Sequence, residues 1–219
     1  MSRPALCRRV RGAAFLVLGW TAAALAANSA GEGKARPRTA NAAPCEACHG
    51  AHGEGSPAGG IPRLAGQSAD YIEKQLRDFE NGTRESPVMR NFAKGLSDSE
   101  RAQLASYYAS LTAPPAAGAA TADARQLGRG QQLAFEGDES ERVQACDNCH
   151  GPYGIGLPHS APYLAGQSAA YLANALRSWR EGTRKNDGGK QMSTVVDRLS
   201  DADIAAASAY FASVDTESN

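Results

Sequence analysis

The chain is 219 residues long, with 42% hydrophobic and 21% charged residues, and its 23 basic residues are balanced by 23 acidic ones. This length suits one large domain or two small ones. Nucleic acid is excluded as an expected partner because binding it requires a basic face, and the charge balance offers no excess of positive charge.

The first 27 residues have the pattern of a secretory signal peptide. Four arginines precede an apolar run of 14 residues, 13–26, which ends in the A-x-A cleavage pattern Ala24-Leu25-Ala26. An uncleaved membrane anchor is the alternative, but the run is shorter than the ~20 residues that a spanning helix needs. We therefore predict removal of residues 1–27 with Cys7, export to the periplasm, and a mature chain without a transmembrane helix. That mature chain has 19 basic and 23 acidic residues.

The second half of the chain repeats the first. The segment PCEACHG at 44–50 returns as ACDNCHG at 145–151, and LAGQSA at 64–69 returns unchanged at 164–169. Residues 113–122 are rich in alanine and proline, which is typical of a linker. The repeat predicts two small domains, residues 28–112 and 123–219, with a duplicated function.

Each repeat predicts helices joined by long loops, and no segment has a strand pattern, so we expect an all-α fold. A middle helix follows Ser68 or Ser168, and a last helix follows Ser97 or Ser200. The predicted buried residues of these helices are Ile72, Leu76, Phe79, Leu104, Tyr107, Tyr108, Leu111, Leu172, Leu176, Trp179, Ile204, Phe211 and Val214. The second repeat also has a leading helix at about 123–135, whereas the first has only a stretch interrupted by Pro37.

All four cysteines of the mature chain lie in two C-x-x-C-H motifs, which contain Cys45, Cys48 and His49 in the first repeat. The second motif contains Cys146, Cys149 and His150. One helical turn places two such cysteines and the histidine on one side, where the sulfurs form thioethers with haem vinyl groups and the imidazole reaches the iron. Disulfides, zinc and a thioredoxin-like dithiol are the alternatives, but the pairs lie about a hundred residues apart and have no βαβ context.

The two methionines that remain after signal removal, Met89 and Met192, each lie seven residues before a Leu-Ser-Asp sequence. Their equivalent positions, on loops after the middle helices, predict that they are the second axial ligands, although methionine is more often a core residue. His52 and His159 compete for this role, but they do not occupy equivalent positions. We expect them on the surface.

Pro62 and Pro162 lie 13 and 12 residues after the motif histidines. Their carbonyl oxygens could accept the hydrogen bond from the free ring nitrogen of each histidine, although either proline could be an ordinary turn residue. Arg84 and Arg184 could pair with haem propionates or lie in solvent. The aromatic residues Tyr71, Tyr171, Phe79 and Trp179 either line the haem pockets or fill the core.

These motifs resemble the dihaem cytochrome c4 family, which has two class I cytochrome c domains in tandem. The resemblance covers residues 44–111 and 123–214 and includes both C-x-x-C-H-G sequences, each proline with the following Leu-Ala-Gly-Gln, both methionines, and the last helices. It implies two covalent haem c groups with axial His49, Met89, His150 and Met192, and two domains packed about a pseudo-twofold axis. Residues 28–44 lack the clear leading helix of the family.

The resemblance also implies a periplasmic one-electron carrier and not an enzyme. Its electrons would pass from a quinol-oxidising cytochrome bc complex to a terminal oxidase, with peripheral contact to the membrane. The alternative is an electron-transfer subunit of a periplasmic dehydrogenase. A haem enzyme such as a peroxidase is a third possibility, but it needs an iron without its methionine.

Overall fold

A computed structural model describes residues 42–112, 122–159 and 161–215. The predicted signal peptide with Cys7, the Pro37 stretch and most of the predicted linker lie outside these residues. The described part consists of helices and irregular loops, with isolated β-bridges instead of a sheet, so the all-α prediction is confirmed. The helices are α1 (Ala43–His49), α2 (Ala69–Asn81), α3 (Pro87–Ala93), α4 (Asp98–Ala109), α5 (Ala124–Phe135), α6 (Asp147–His150), α7 (Ala169–Arg180), α8 (Gln191–Val196) and α9 (Asp201–Ser213).

The last helix of each repeat begins at a capping box. The Ser97 hydroxyl accepts a hydrogen bond from the Glu100 amide at 3.3 Å, and the Glu100 carboxylate accepts one from the Ser97 amide at 2.8 Å. Ser200 and Asp203 make the same reciprocal pair at the start of α9. These contacts satisfy amide groups that a helix start otherwise leaves without partners.

The middle helices begin where predicted, but only one has the predicted side-chain cap. Ser168 accepts a hydrogen bond from the Tyr171 amide at 3.3 Å. The Ser68 side chain makes no such bond to α2, so its predicted cap is wrong. Ser68 instead donates its amide hydrogen to the side-chain oxygen of Gln67 at 3.1 Å.

Each half has its own apolar core. In the first half α2 packs on α4, around a cluster of buried residues made of Ala42, Ile72, Leu104, Ala105, Tyr107 and Tyr108. In the second half α9 packs on both α5 and α7, and the buried residues include Leu133, Val143, Leu172, Leu199, Ile204 and Phe211. Most of the residues predicted to be buried therefore belong to these cores or pack against them, but Val214 lies after the end of α9 and is half-buried.

Glycine allows α5 to approach α9 closely. A β-carbon added at Gly130 would lie 2.2 Å from the Ala206 carbonyl oxygen and 2.6 Å from the β-carbon of Tyr210. Neither is the far end of a flexible side chain, so the crossing of the two helices depends on the missing side chain. At Gly128, on the same helix, an added β-carbon would meet nothing within 4 Å.

The described residues of both halves belong to one compact unit. At their boundary, the Glu85 amide donates to the Thr183 carbonyl oxygen at 2.9 Å, and the Lys185 amide donates to the Thr83 carbonyl oxygen at 2.7 Å. These bonds join equivalent positions of the repeat in both directions. The boundary therefore has an approximate twofold relation at this point.

Candidate haem sites

Short helices present both C-x-x-C-H motifs. In α1, Cys45 is half-buried, Cys48 is exposed and His49 is only 6% exposed. The helix ends directly after His49 because Gly50 adopts a φ of +85°, a conformation that glycine allows at little steric cost. Among the described residues the four motif cysteines form no disulfide, and those of the second site, Cys146 and Cys149, lie at the start of α6 and within it.

The two motif histidines are buried and make the same hydrogen bond. The Nδ1 atom of His49 lies 2.9 Å from the Pro62 carbonyl oxygen, and the Nδ1 atom of His150 lies 3.0 Å from that of Pro162. A carbonyl oxygen can only accept, so Nδ1 carries the hydrogen and the lone pair lies on Nε2. Burial lowers the pKa of both imidazoles, against the opposing effect of the carbonyl, and favours the neutral form that binds metals.

One loop geometry brings the proline to the histidine in both halves. In the first half, the Gly55 amide donates to the His49 carbonyl oxygen at 2.7 Å. In the second, the Gly156 amide donates to the His150 carbonyl oxygen at 2.7 Å. The bridged residues at the loop tip are five positions apart in one copy (Ser56 and Ile61) and four in the other (Leu157 and Ala161). Because of this one-residue difference, the two C-x-x-C-H motifs lie 101 residues apart, whereas the two LAGQSA sequences that follow them lie 100 residues apart.

The methionines lie on short helices, and the expectation that loops carry them is wrong. Ser86 caps α3 by accepting a hydrogen bond from the Met89 amide at 3.3 Å, and Pro87 occupies the first turn, where its missing amide hydrogen costs little. In the second half, Asp187 accepts hydrogen bonds from the amide and hydroxyl groups of Ser193. Both methionines are half-buried, and their role as iron ligands stays a prediction.

Arg84 and Arg184 bind across the boundary, so the interpretation of solvated loop arginines is wrong. Arg84 donates to the Tyr171 hydroxyl at 3.0 Å, and Arg184 donates to the Tyr71 hydroxyl at 3.1 Å. Their guanidinium groups also lie over the rings of Phe79 and Trp179, at 4.6 and 4.4 Å from the ring centroids. Each arginine is therefore anchored by an aromatic ring of its own half and a phenol of the other half.

The same two cations act on the phenol of Tyr171, which is half-buried. Burial favours its neutral form, but the positive charges of Arg84 and Arg184 outweigh burial and lower the pKa of Tyr171 to about 8.

A second pair of contacts crosses the boundary at the Leu-Ala-Gly-Gln segments. The Gln167 side chain accepts from the Arg63 amide at 2.9 Å and donates to the Arg63 carbonyl oxygen at 3.0 Å. The Gln67 side chain makes the equivalent pair with Tyr163, at 2.9 and 3.1 Å. The glutamines within the repeated sequence therefore join the two halves, a role that sequence reasoning did not assign to them.

The centre of the boundary is asymmetric. The Gln75 side-chain oxygen accepts hydrogen bonds from Arg84, Arg184 and Asn186 at 2.8, 3.1 and 3.0 Å. The equivalent position in the second half is Ala175. Sequence reasoning missed Gln75, although it is a polar residue on the apolar stripe between Ile72 and Phe79.

The two other histidines are exposed, as expected. His52 lies in the turn after α1, where its amide donates to the Glu54 carboxylate at 2.8 Å. The Nδ1 atom of His159 contacts the Asp70 carboxylate of the other half.

Known proteins are similar to this chain in sequence over most of its length. The cytochrome c family matches residues 37–112 and 128–215. Cytochrome c4 of Pseudomonas aeruginosa is 41% identical over 198 residues, which cover 90% of this chain and 94% of that protein. The thiosulfate dehydrogenase electron acceptor of Stutzerimonas stutzeri is 43% identical over 170 residues, which cover 78% of each chain.

Two solved structures are similar over most of this chain. Reduced recombinant cytochrome c4 from Pseudomonas stutzeri superposes with a TM-score of 0.73 at 34% identity, over 80% of this chain and 95% of that one. Thiosulfate dehydrogenase from Marichromatium purpuratum superposes with a TM-score of 0.72 at 37% identity, over 77% of this chain but only 36% of that one.

Two helical domains that each carry a C-x-x-C-H motif with a buried imidazole define a c-type cytochrome. The chain belongs to the cytochrome c family, with two cytochrome c domains in tandem. Within that family it belongs with the dihaem cytochromes c4. It binds two haem c groups covalently and transfers electrons, and it is not an enzyme. Among the described residues, none of the helices is both long and apolar enough to cross a bilayer.

Proposed function

We propose that Cys45 and Cys48 bind the first haem through thioethers, and that Cys146 and Cys149 bind the second. His49 and Met89 would be the axial ligands of the first iron, and His150 and Met192 those of the second. The observation that carries this proposal is the duplicated, buried imidazole whose Nδ1 is hydrogen-bonded to a proline carbonyl oxygen. This bond leaves Nε2 as the metal-binding atom, so the donor set fits a haem iron.

When bound, each haem supplies an iron that accepts and releases one electron. The residues of the chain set the conditions for that exchange. Pro62 and Pro162 would fix the orientation of the imidazoles and raise their basicity. A histidine and a methionine together leave no open coordination position, which favours electron transfer over substrate binding.

Arg84 and Arg184 would serve both haems, because both guanidinium groups lie at the boundary of the two halves. They would supply positive charge for haem carboxylates, and their hydrogen bonds to the opposite half would keep the two domains in one arrangement. The chain would then hold two electrons or pass one electron from one domain to the other.

We infer further that the chain works in the periplasm, after cleavage of its signal peptide. It would be a free carrier between a quinol-oxidising cytochrome bc complex and a terminal oxidase, with peripheral contact to the membrane. The likeness to cytochromes c4 over nine-tenths of the chain supports this function.

A second candidate function is the acceptance of electrons from a thiosulfate dehydrogenase. Relatives from Stutzerimonas stutzeri and Thiomonas intermedia that are called thiosulfate dehydrogenase electron acceptors are 43% and 42% identical to this chain. A dehydrogenase would pass its electrons to one domain of this chain, and the other domain would deliver them onward.

Stopped-flow spectroscopy distinguishes these functions. The oxidised, haem-loaded protein is mixed either with thiosulfate dehydrogenase and thiosulfate or with a cytochrome bc complex and quinol. Fast reduction only by the bc complex is expected for the first function, and fast reduction only by the dehydrogenase for the second. A colourless purified protein, with no covalent porphyrin after denaturation, would contradict both.

A further inference from the structure

The loop that leads to Met192 is held by the first half of the chain. The Asn186 side-chain amide donates to the Gln75 side-chain oxygen at 3.0 Å and to the Asp78 carboxylate. The Asn186 carbonyl oxygen accepts a hydrogen bond from the ammonium group of Lys74 at 2.7 Å. Three side chains of α2 therefore bind a single residue of the loop between α7 and α8.

Two of these three side chains lie inside the protein. Gln75 and Asp78 are 7% and 8% exposed, and the Asp78 carboxylate also accepts a hydrogen bond from Lys74. A buried amide or carboxylate that loses a partner is costly, because it has given up water and has no replacement for it. Moving Asn186 away from α2 would therefore cost free energy, which ties the loop to the first half.

Asn186 passes this constraint on to the methionine. The next residue, Asp187, accepts hydrogen bonds from the amide and the hydroxyl group of Ser193 at 2.9 and 2.8 Å, and Ser193 directly follows Met192. Residues 188–189 are glycines that border open space, since a β-carbon added at either would meet no atom within 4 Å. The position of Met192 therefore depends on Asp187 and Asn186, and through them on α2.

The equivalent helix of the second half, α7, does not carry the same side chains. In place of the three residues of α2 it has Asn174, Ala175 and Ser178. Alanine has no polar side-chain atom, and the Ser178 hydroxyl donates to the Ala175 carbonyl oxygen of its own helix at 2.7 Å. Met89 is held within its own half, where the Ser86 hydroxyl accepts a hydrogen bond from its amide. Among the described residues, this link therefore runs in one direction, from the first half to the second methionine.

We propose that Lys74, Gln75 and Asp78 position Met192 on the second iron, so that the first half controls the coordination and the reduction potential of the second haem. This inference rests on the proposed function, in which Met192 is an axial ligand. The three residues are positioning residues, because they act through Asn186 and not on the haem. Methionine ligation raises the potential of a haem, so a loosened loop would favour the ferric state of the second one.

The test uses the full, haem-loaded chain and replaces the three residues with their counterparts from α7, in the variant K74N/Q75A/D78S. This exchange keeps the net charge and introduces side chains that the equivalent helix already carries. In a potentiometric titration, the equilibrium constant for reduction of the second haem should fall about tenfold, which is about 59 mV for one electron. The potential of the first haem should stay as in the wild type.

Two spectroscopic measurements report on the methionine directly. The ferric variant should lose part of the long-wavelength absorption band that methionine gives to a ferric haem. Carbon monoxide should bind to one ferrous haem about tenfold faster or more, because binding requires an open iron and is limited by the open fraction.

Double variants assign the effect to one iron. In a Met192→Ala background the exchange should not change carbon monoxide binding further, because that iron is already open. In a Met89→Ala background it should open a second iron. The comparison of single and combined variants isolates the coupling between α2 and Met192.

The matched control is E73Q/R77Q, which removes the ion pair of Glu73 and Arg77 from the same helix and also keeps the net charge. Both potentials, the absorption band and carbon monoxide binding should remain as in the wild type. D78S alone should change these quantities in the same direction as the exchange but less, and it serves if the triple variant does not fold.

Two results would overturn this inference while leaving the proposed function intact. Equal changes at both haems would show a general loosening of the boundary, and an unchanged spectrum with unchanged potentials would show that α2 does not position Met192. A Met192→Ala variant with the native spectrum would instead overturn the proposed ligand itself, which separates the two failures.

Discussion

The first half buries His49 and bonds its Nδ1 to Pro62, and the second half does the same with His150 and Pro162. Around these equal centres the halves differ. The boundary is centred on Gln75 of the first half, and the equivalent residue of the second half is Ala175. The contacts of histidine with proline and of arginine with tyrosine are duplicated, whereas the residue at the centre of the boundary has diverged.

This contrast between equal centres and different surroundings bears on how a duplicated protein would transfer electrons in one direction, from one domain to the other. The proposed ligand sets are the same in both halves, so a donor and an acceptor would be distinguished by what surrounds each centre. The surface around α3 exposes Val88 and Phe92 beside Arg90 and Lys94, whereas the surface around α8 exposes Lys190 and Arg198. The following experiments examine the equality at the centres and the differences around them.

The equality at the iron sites is tested by Met89→Ala and Met192→Ala. Each variant should lower the reduction potential of one haem by roughly 0.2 V, a fraction of the range of about 0.8 V that axial ligands set. Each should also open one iron to carbon monoxide. Potentiometric titration and carbon monoxide binding measure these effects, with Val88→Ala as a neighbouring control. A variant that keeps the native spectrum and both potentials would show that its methionine is not a ligand.

The α5–α9 crossing of the second half is tested by Gly130→Ala. The new β-carbon would meet the Ala206 carbonyl oxygen at 2.2 Å, so the helices must separate. We expect a loss of about 3 kcal/mol in the free energy of unfolding, the upper end for overpacked cores. Gly128→Ala, on the same helix with open space around it, should instead stabilise by about 0.5–1 kcal/mol. Urea unfolding of both variants measures the difference, and equal effects would argue against close packing at Gly130.

The twofold part of the boundary predicts equal costs for Arg84→Ala and Arg184→Ala. Each removes a charged hydrogen bond to a tyrosine of the other half and one to Gln75, so each should lower the free energy of unfolding by about 2–3 kcal/mol. Arg184→Lys keeps the charge but loses the forked geometry, and should lose an intermediate amount. Urea titrations followed by tryptophan fluorescence measure these costs. A large loss in the free energy of unfolding for only one of the two alanine variants would show that Arg84 and Arg184 do not contribute equally to the boundary.

The smallest effect concerns acid stability of the second half. Arg129 of α5 binds Asp138 and Asp203 at 2.7 Å each. The Ser140 hydroxyl and Arg129 lower the pKa of Asp138 to about 2, below its usual value near 4. Because the folded state holds this proton less tightly than the unfolded state, the contribution to stability is present above pH 4 and is lost as the pH falls toward 2.

Arg129→Gln should therefore flatten the fall in the urea midpoint between pH 4 and pH 2. Arg125→Gln is the control, because Arg125 is an exposed residue of the same helix and forms no ion pair among the described residues. Its acid profile should match that of the wild type. Identical profiles for all three proteins would mean that these ion pairs do not govern acid stability.

The sequence alone was enough to predict the repeat, the all-α fold, both haem-attachment motifs and the apolar faces of the long helices. These features are local or periodic, so neighbouring residues determine them. It also pointed to Pro62 and Pro162, because similar spacings of 13 and 12 residues after the two histidines mark equivalent loop positions. The short helices around Met89 and Met192 were missed, since a few local contacts define them: the Ser86 hydroxyl with the Met89 amide, and the Asp187 carboxylate with Ser193.

Only the tertiary structure decided what lies between and beside the two sites. Arg84 and Arg184 appeared to be loop residues, and Gln67, Gln75 and Gln167 had no assigned role, because their partners lie far away in sequence, mostly on the other half. Arg142 and Lys190 are 48 positions apart, and only the packing of the loop before Cys146 against α8 brings them into one cleft. Sequence periodicity records which side of a helix is apolar. It does not record which distant side chains meet once two such helices pack.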